Sequence, residues 1–145
     1  MIQGLRQSRF FWYWVPTIGY CLLIFMLSSM SKGVYMPSPF GVDKVAHFVE
    51  YGVLGFLLAR SIANVQSSFS RIFLLGLVVI LATLYGISDE IHQAFVPGRN
   101  ASPWDVTADG LGGLVGAVIY RRSVYRRDAA PGVKRKEIMR ADRIE

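Results

Sequence analysis

Phe10 to Met30 is a nearly continuous apolar run without a charged side chain, close to the ~20 residues that carry a helix across a bilayer. A segment of that kind is stable in lipid only as a helix, because every backbone N–H and C=O must be satisfied within the chain. A second run, Ile72 to Ile87, is shorter and continues helically through Ser88 to Gln93. Val45 to Ala59 and Val106 to Tyr120 are apolar runs interrupted by His47 and Glu50 and by Asp109. The pattern predicts an all-α polytopic membrane protein, a bundle of four transmembrane helices over about residues 10–30, 44–62, 71–93 and 103–121. The hydrophobic content of 52% in 145 residues fits one such domain. Residues 1–9 then form a short N-terminus, 10–120 the membrane domain and 122–145 a basic tail.

The first run also has the outline of a cleaved signal peptide, with Arg6 and Arg9 before it and Ser28, Ser29 and Ser31 after it. Its length, and the cluster Trp12, Tyr13 and Trp14, favour a retained anchor, since signal h-regions span only about 7–15 residues. Cys21 is the only cysteine and falls inside this helix, which excludes an intrachain disulfide and a cysteine-ligated zinc cluster. Dinucleotide and P-loop glycine patterns are absent.

Lysine and arginine favour the cytoplasmic side of a membrane. Arg6, Arg9, Arg60, Arg71 and every basic residue after Tyr120 fall at one set of helix ends, against Lys32, Lys44 and Arg99 at the other. Both termini are therefore expected in the cytoplasm, and the net charge of +6 reflects topology and tail. A basic tail that follows a membrane helix reads as an anchor to anionic lipid, not as a nucleic-acid site.

This orientation sends three polar helix faces to the outer leaflet. Asp43, His47, Glu50 and Tyr51 share one face of the second helix, with Glu50 about 10 Å deeper than Asp43 by the helical rise. Asp89, His92 and Gln93 follow at similar spacing on the third helix, with Glu90 turned to the side, and Asp105 and Asp109 lie four apart on the fourth. Several of these have plain structural readings. Asp43 suits an N-cap, Ser102-Pro103-Trp104-Asp105 has the form of a capping box with proline at the first helical position, Glu90 suits a solvated rim and Pro97-Gly98 a turn. Either histidine suits a hydrogen-bonded packing role, and Lys44 can snorkel to the headgroups. Capping does not explain Glu50 or Asp109, which lie inside their helices, where an ionisable group costs about 2.5–3.5 kcal/mol and normally faces a partner or a wet cavity.

Six acids, Asp43, Glu50, Asp89, Glu90, Asp105 and Asp109, face Lys44 and Arg99 as nearby fixed positive charges. Such a group is partly protonated, loaded with metal or built to hold a cationic ligand. A binding site for a lipid or glycolipid headgroup is the leading expectation. The enzymatic alternative is a hydrolase or transferase of lipid phosphates, with Asp43, Asp89, Glu90 and Asp105 on a divalent cation such as Mg²⁺, His47, His92 or Glu50 as acid or base, and Arg99 on the phosphate. A small proton-coupled transporter with Glu50 and Asp109 as relay is the third, and it requires oligomerisation. No specific catalytic signature is present, HEXXH included, so the sequence leans away from an enzyme. Ala108, Gly112 and Gly116 recur every four residues beside Gly113, a small-residue face suited to close helix packing within the chain or between copies. Trp104 and Tyr120 bracket it as interface anchors.

The segments DKVAHFVEYGVLGFLLAR and SDEIHQAFVPGRNASPWDVTADGLGGLVG together resemble the VanZ-like family of small bacterial membrane proteins, from roughly Pro39 to Tyr120. The resemblance implies functional weight at Asp43, Lys44, His47, Tyr51, Asp89, Glu90, Gln93, Arg99 and Asp105, all of them present. Asp109 departs from the family's common asparagine and exchanges a neutral hydrogen-bonding group for an ionisable one. The resemblance further implies a place of action in the cell envelope and, through the family's founding member, an effect on susceptibility to the glycopeptide teicoplanin.

Overall fold

A computed structural model describes residues 2–31, 41–65 and 69–128, with side chains from residue 10 to residue 124 within those ranges. They form four α-helices: α1, Ile2–Ser28; α2, Val42–Val65; α3, Arg71–Gln93; and α4, Pro103–Asp128. Among the described residues there is no strand, so the chain is all-α. The two ends of the domain depart from the expected bounds. Helix α1 already begins at Ile2, and α4 runs on through Arg121 and Arg122 to Asp128, where no glycine or proline interrupts the stretch after Tyr120. The Lys32 to Phe40 segment and the tail from Ala129 lie outside the described residues.

The bundle is arranged with apolar side chains outward. Ile72, Phe95, Trp12, Trp104 and Met26 are among the most exposed side chains, whereas Thr17, Ser61, Asp89, Glu90 and Asp109 are buried. A protein in water could not present that surface, and a bilayer provides the apolar surroundings it needs. Three helices are long and apolar enough to cross a membrane: α1 from Phe10, α2 and α3. The chain is therefore a multi-pass membrane protein in which α4, expected as a fourth span, falls short of that measure. Its acids and glycines lower its hydropathy, and its neighbours α2 and α3 cover much of it.

The closest packing is that of α2 on α4. A Cβ at Gly55 would collide with the Gly113 backbone, one at Gly112 with the Phe48 carbonyl and one at Gly116 with the Gly52 carbonyl. The glycine face of α4, with Gly112 and Gly116, is thus packed on α2 of the same chain. Asn64 Nδ2 donates to Tyr120 Oη at 2.9 Å toward the far end of this pair. Tyr120, expected as an interface anchor, is half-buried there, edge-on to Phe56, while Trp104 is exposed.

Helix α1 lies against α2 and α3. Pro16 removes one backbone donor from α1. Beside that break, Ser61 Oγ donates to the Tyr13 carbonyl at 2.7 Å and lies 2.8 Å from Thr17 Oγ1. These hydroxyls tie α1 to α2 one residue from the Trp12 carbonyl that Pro16 leaves without its helical donor. Tyr85 Oη of α3 donates to the Cys21 carbonyl at 2.6 Å. Cys21 is a half-buried free thiol beside the core.

A candidate polar site at one end of the bundle

The C-terminal ends of α1 and α3 and the N-terminal ends of α2 and α4 meet at one end of the molecule. The local turns bring them there. Val96-Pro97-Gly98-Arg99 closes a β-turn, with the Arg99 N–H on the Val96 carbonyl at 3.1 Å and Gly98 at φ +77°, the left-handed value that glycine tolerates best at that position. The turn returns the chain toward α1, where Arg99 Nη2 donates to the Leu27 carbonyl at 2.7 Å and Nε to the Met30 carbonyl at 3.3 Å. Arg99, expected on a ligand phosphate, satisfies carbonyls at the C-terminus of α1, where the helix dipole favours a cation.

Between α1, α2 and α3 lies a partly open cavity of about 360 Å³. Asp43, His47 and Glu50 line it from α2, Asp89 and Gln93 from α3, and Arg99 from the loop. Ile24 and Leu27 of α1 form an apolar wall. Gln93 Nε2 donates to Asp89 Oδ2 at 2.8 Å, one helical turn apart, and both side chains are buried. The shared face expected for Asp43, His47 and Glu50 therefore opens onto a single cavity.

Behind His47 a second cluster is enclosed by α2, α3 and α4. His47 Nδ1 lies 3.0 Å from Asp109 Oδ1, and His47 Nε2 lies 3.8 Å from Glu90 Oε1. Asp109 is wholly buried, seated where Gly86 lacks a side chain, since a Cβ on Gly86 would strike its carboxylate. The Tyr51 ring stacks near that of His47, centroids 6.2 Å apart, and is also wholly buried.

Two expectations are corrected by this cluster. Glu90 is 6% exposed, so it is not a solvated rim charge. Its Oε2 accepts the Ser102 backbone N–H at 2.6 Å, the bond that Asp105 would make in a capping box. Asp105 instead pairs with Lys44 Nζ at 3.0 Å, tying the first turn of α4 to that of α2. Lys44 is thus a partner for a buried acid as well as a cation near the membrane surface. Replacing it by glutamine leaves Asp105 buried without its counter-charge, and the variant is expected to lose about 1–3 kcal/mol of unfolding free energy in detergent. A double-mutant cycle with Asp105→Asn measures how much of that loss belongs to the pair.

His92 is the candidate that is not brought in. Its Nε2 lies 2.9 Å from Ser29 Oγ and its ring 4.5 Å from that of Phe25, so it packs on α1 away from the acids. Of the four acids expected on a metal, Glu90 and Asp105 approach one another beside His47, whereas Asp43 and Asp89 line the cavity. A second surface feature had no signal in the sequence beyond scattered apolar residues. It is an apolar groove of about 640 Å³ between α2 and α4, formed by Val45, Phe48, Trp104 and Leu111, with Lys44 at its edge.

No curated protein and no solved structure matches the chain. The family model described as VanZ/LLP1 matches residues 3–125, which include α2 and α3 whole, nearly all of α1 and α4, and all of the polar cluster. A match over most of the length, on a helical membrane bundle with these residues at one end, shows that the chain belongs to the VanZ/LLP1 family.

Proposed function

We propose that this protein binds the polar headgroup of a lipid or glycolipid at the outer leaflet of the bacterial inner membrane, and that it alters susceptibility to glycopeptides such as teicoplanin through that binding. The observation that carries the reading is the 360 Å³ cavity, in which Asp43, Glu50, Asp89 and Gln93 meet an apolar wall from α1. Carboxylates accept hydrogen bonds from the hydroxyl and amine groups of headgroups, and Ile24 and Leu27 offer a surface to the adjoining chain. Glu50 supports this most strongly, because a carboxylate inside a membrane helix is retained where it faces a partner or a wet cavity. An orientation with the cavity outward follows from the distribution of lysine and arginine.

The test is to purify the protein and its Glu50→Gln and Asp89→Asn variants from equal amounts of membrane and to identify the lipids extracted with each. One headgroup class enriched with the wild type and reduced about tenfold or more in both variants is the expected result, a loss of about 1.4 kcal/mol or more of binding. Teicoplanin susceptibility of cells expressing each form should follow the same order. Identical lipid profiles from all three proteins would contradict the reading.

A further inference from the structure

His47 Nε2 and Glu90 Oε1 stand 3.8 Å apart inside the protein. Asp109 Oδ1, 3.0 Å from His47 Nδ1 in a buried position, is placed to accept a proton from that nitrogen, and in the neutral tautomer this selects, Nε2 carries a lone pair. Opposite it, at 3.8 Å, stands Glu90 Oε1, which is buried and has no hydrogen-bond partner, while Oε2 of the same carboxylate is committed to the Ser102 N–H. The two atoms are too far apart for a direct hydrogen bond, and the gap between them is closed either by protonation of His47 or by a cation that both can ligate. An atom of Asp105 completes a set of three in which His47, Glu90 and Asp105 each offer a ligand atom within 4.8 Å of the others.

We propose that His47, Glu90 and Asp105 bind a divalent first-row transition-metal ion, Zn²⁺ or Mn²⁺, with Asp109 as the carboxylate that orients the histidine. Ligand atoms around a tetrahedral ion at ~2.0–2.2 Å stand about 3.4 Å apart, so small side-chain rotations convert the observed separations into a coordination sphere. A histidine that ligates through one nitrogen and gives its other N–H to a carboxylate is the usual outer-shell arrangement of metal sites. The imidazole favours Zn²⁺ and the two carboxylates also suit Mn²⁺, whereas Mg²⁺ prefers an all-oxygen shell and keeps several waters. The charge also agrees. Glu90, Asp105 and Asp109 are buried together beside Lys44, which holds one oxygen of Asp105, and a divalent ion offsets the remaining negative charge. Because the three ligands come from α2, α3 and α4, the ion would fasten those helices together. The inference does not depend on what occupies the neighbouring cavity.

The test begins with the wild-type protein in detergent, stripped with EDTA, desalted and titrated separately with Zn²⁺, Mn²⁺ and Mg²⁺. Bound metal is counted by elemental mass spectrometry and stability is followed by thermal unfolding. About one Zn²⁺ or Mn²⁺ per chain, with a rise in Tm, is expected. Asp109→Asn should weaken binding ~10–100-fold, and His47→Gln or Glu90→Gln should weaken it further. Glu50→Gln, which alters the cavity and not the three ligands, should bind metal like the wild type, so that failure here and failure of the headgroup reading are told apart. Absence of bound Zn²⁺ and Mn²⁺ from the stripped wild type with no change in Tm, occupancy by Mg²⁺ alone, or equal binding by His47→Gln and Glu90→Gln would each overturn the proposal.

Discussion

Gly116→Ala and Gly55→Ala are each expected to cost about 3 kcal/mol of stability, whereas Gly76→Ala should gain about 0.5–1 kcal/mol. All three are single methyl additions inside α-helices, and helix propensity alone would favour each of them. The difference lies in what the methyl group meets. At Gly116 it runs into the Gly52 carbonyl and the Phe56 N–H, and at Gly55 into the backbone of Gly113. Backbone atoms cannot rotate aside as a side-chain terminus can, so relief requires α2 and α4 to separate along their whole contact. At Gly76 no atom lies within 4 Å. Unfolding of the three variants in mixed detergent micelles measures the contrast directly. A uniform response would mean that the α2–α4 crossing is looser than described, and with it the seat of Asp109 and Asp105.

Glu90→Ala is expected to have the second-largest effect, about 2 kcal/mol, by leaving the Ser102 N–H without its charge-assisted acceptor at the start of α4. Glu90→Gln keeps an acceptor oxygen and should recover most of the loss. Amide hydrogen exchange separates this arrangement from an ordinary capping box. With Glu90 as acceptor, exchange at Ser102 rises about 10-fold or more in Glu90→Ala and changes little in Asp105→Asn. A local capping box predicts the reverse.

That exchange of roles marks the boundary of what the sequence could reveal. Helical periodicity and continuous apolar runs made α1, α2 and α3 legible as helices. The membrane character of the chain was likewise legible from blocks of apolar residues. Helix α4 was legible as a helix but less so as a span, since its acids and glycines serve contacts with α2 and α3 instead of lipid. The i, i+4 spacing of Asp43 and His47, and of Asp89 and Gln93, correctly places each pair on one face. It does not say which neighbour that face meets. Glu90 pointed to the rim by its position alone, and what buries it is the Ser102 N–H delivered by the turn twelve residues later. Asp109 was conspicuous as an acid inside a helix, yet its partner His47 is 62 residues away and is supplied by packing. Arg99 had the chemistry of a phosphate ligand, and only the position of α1 gives it carbonyls to satisfy.

Native mass spectrometry of the intact protein beside the Glu50→Gln/Asp89→Asn double variant is the most direct test of the polar cavity as a binding site. The wild type is expected to carry a lipid or glycolipid of defined mass into the gas phase, with the double variant emerging without it at equal folding and yield. Equal retention of the same species by both proteins, or a wild type that emerges bare under conditions that preserve its fold, would contradict headgroup binding in this cavity.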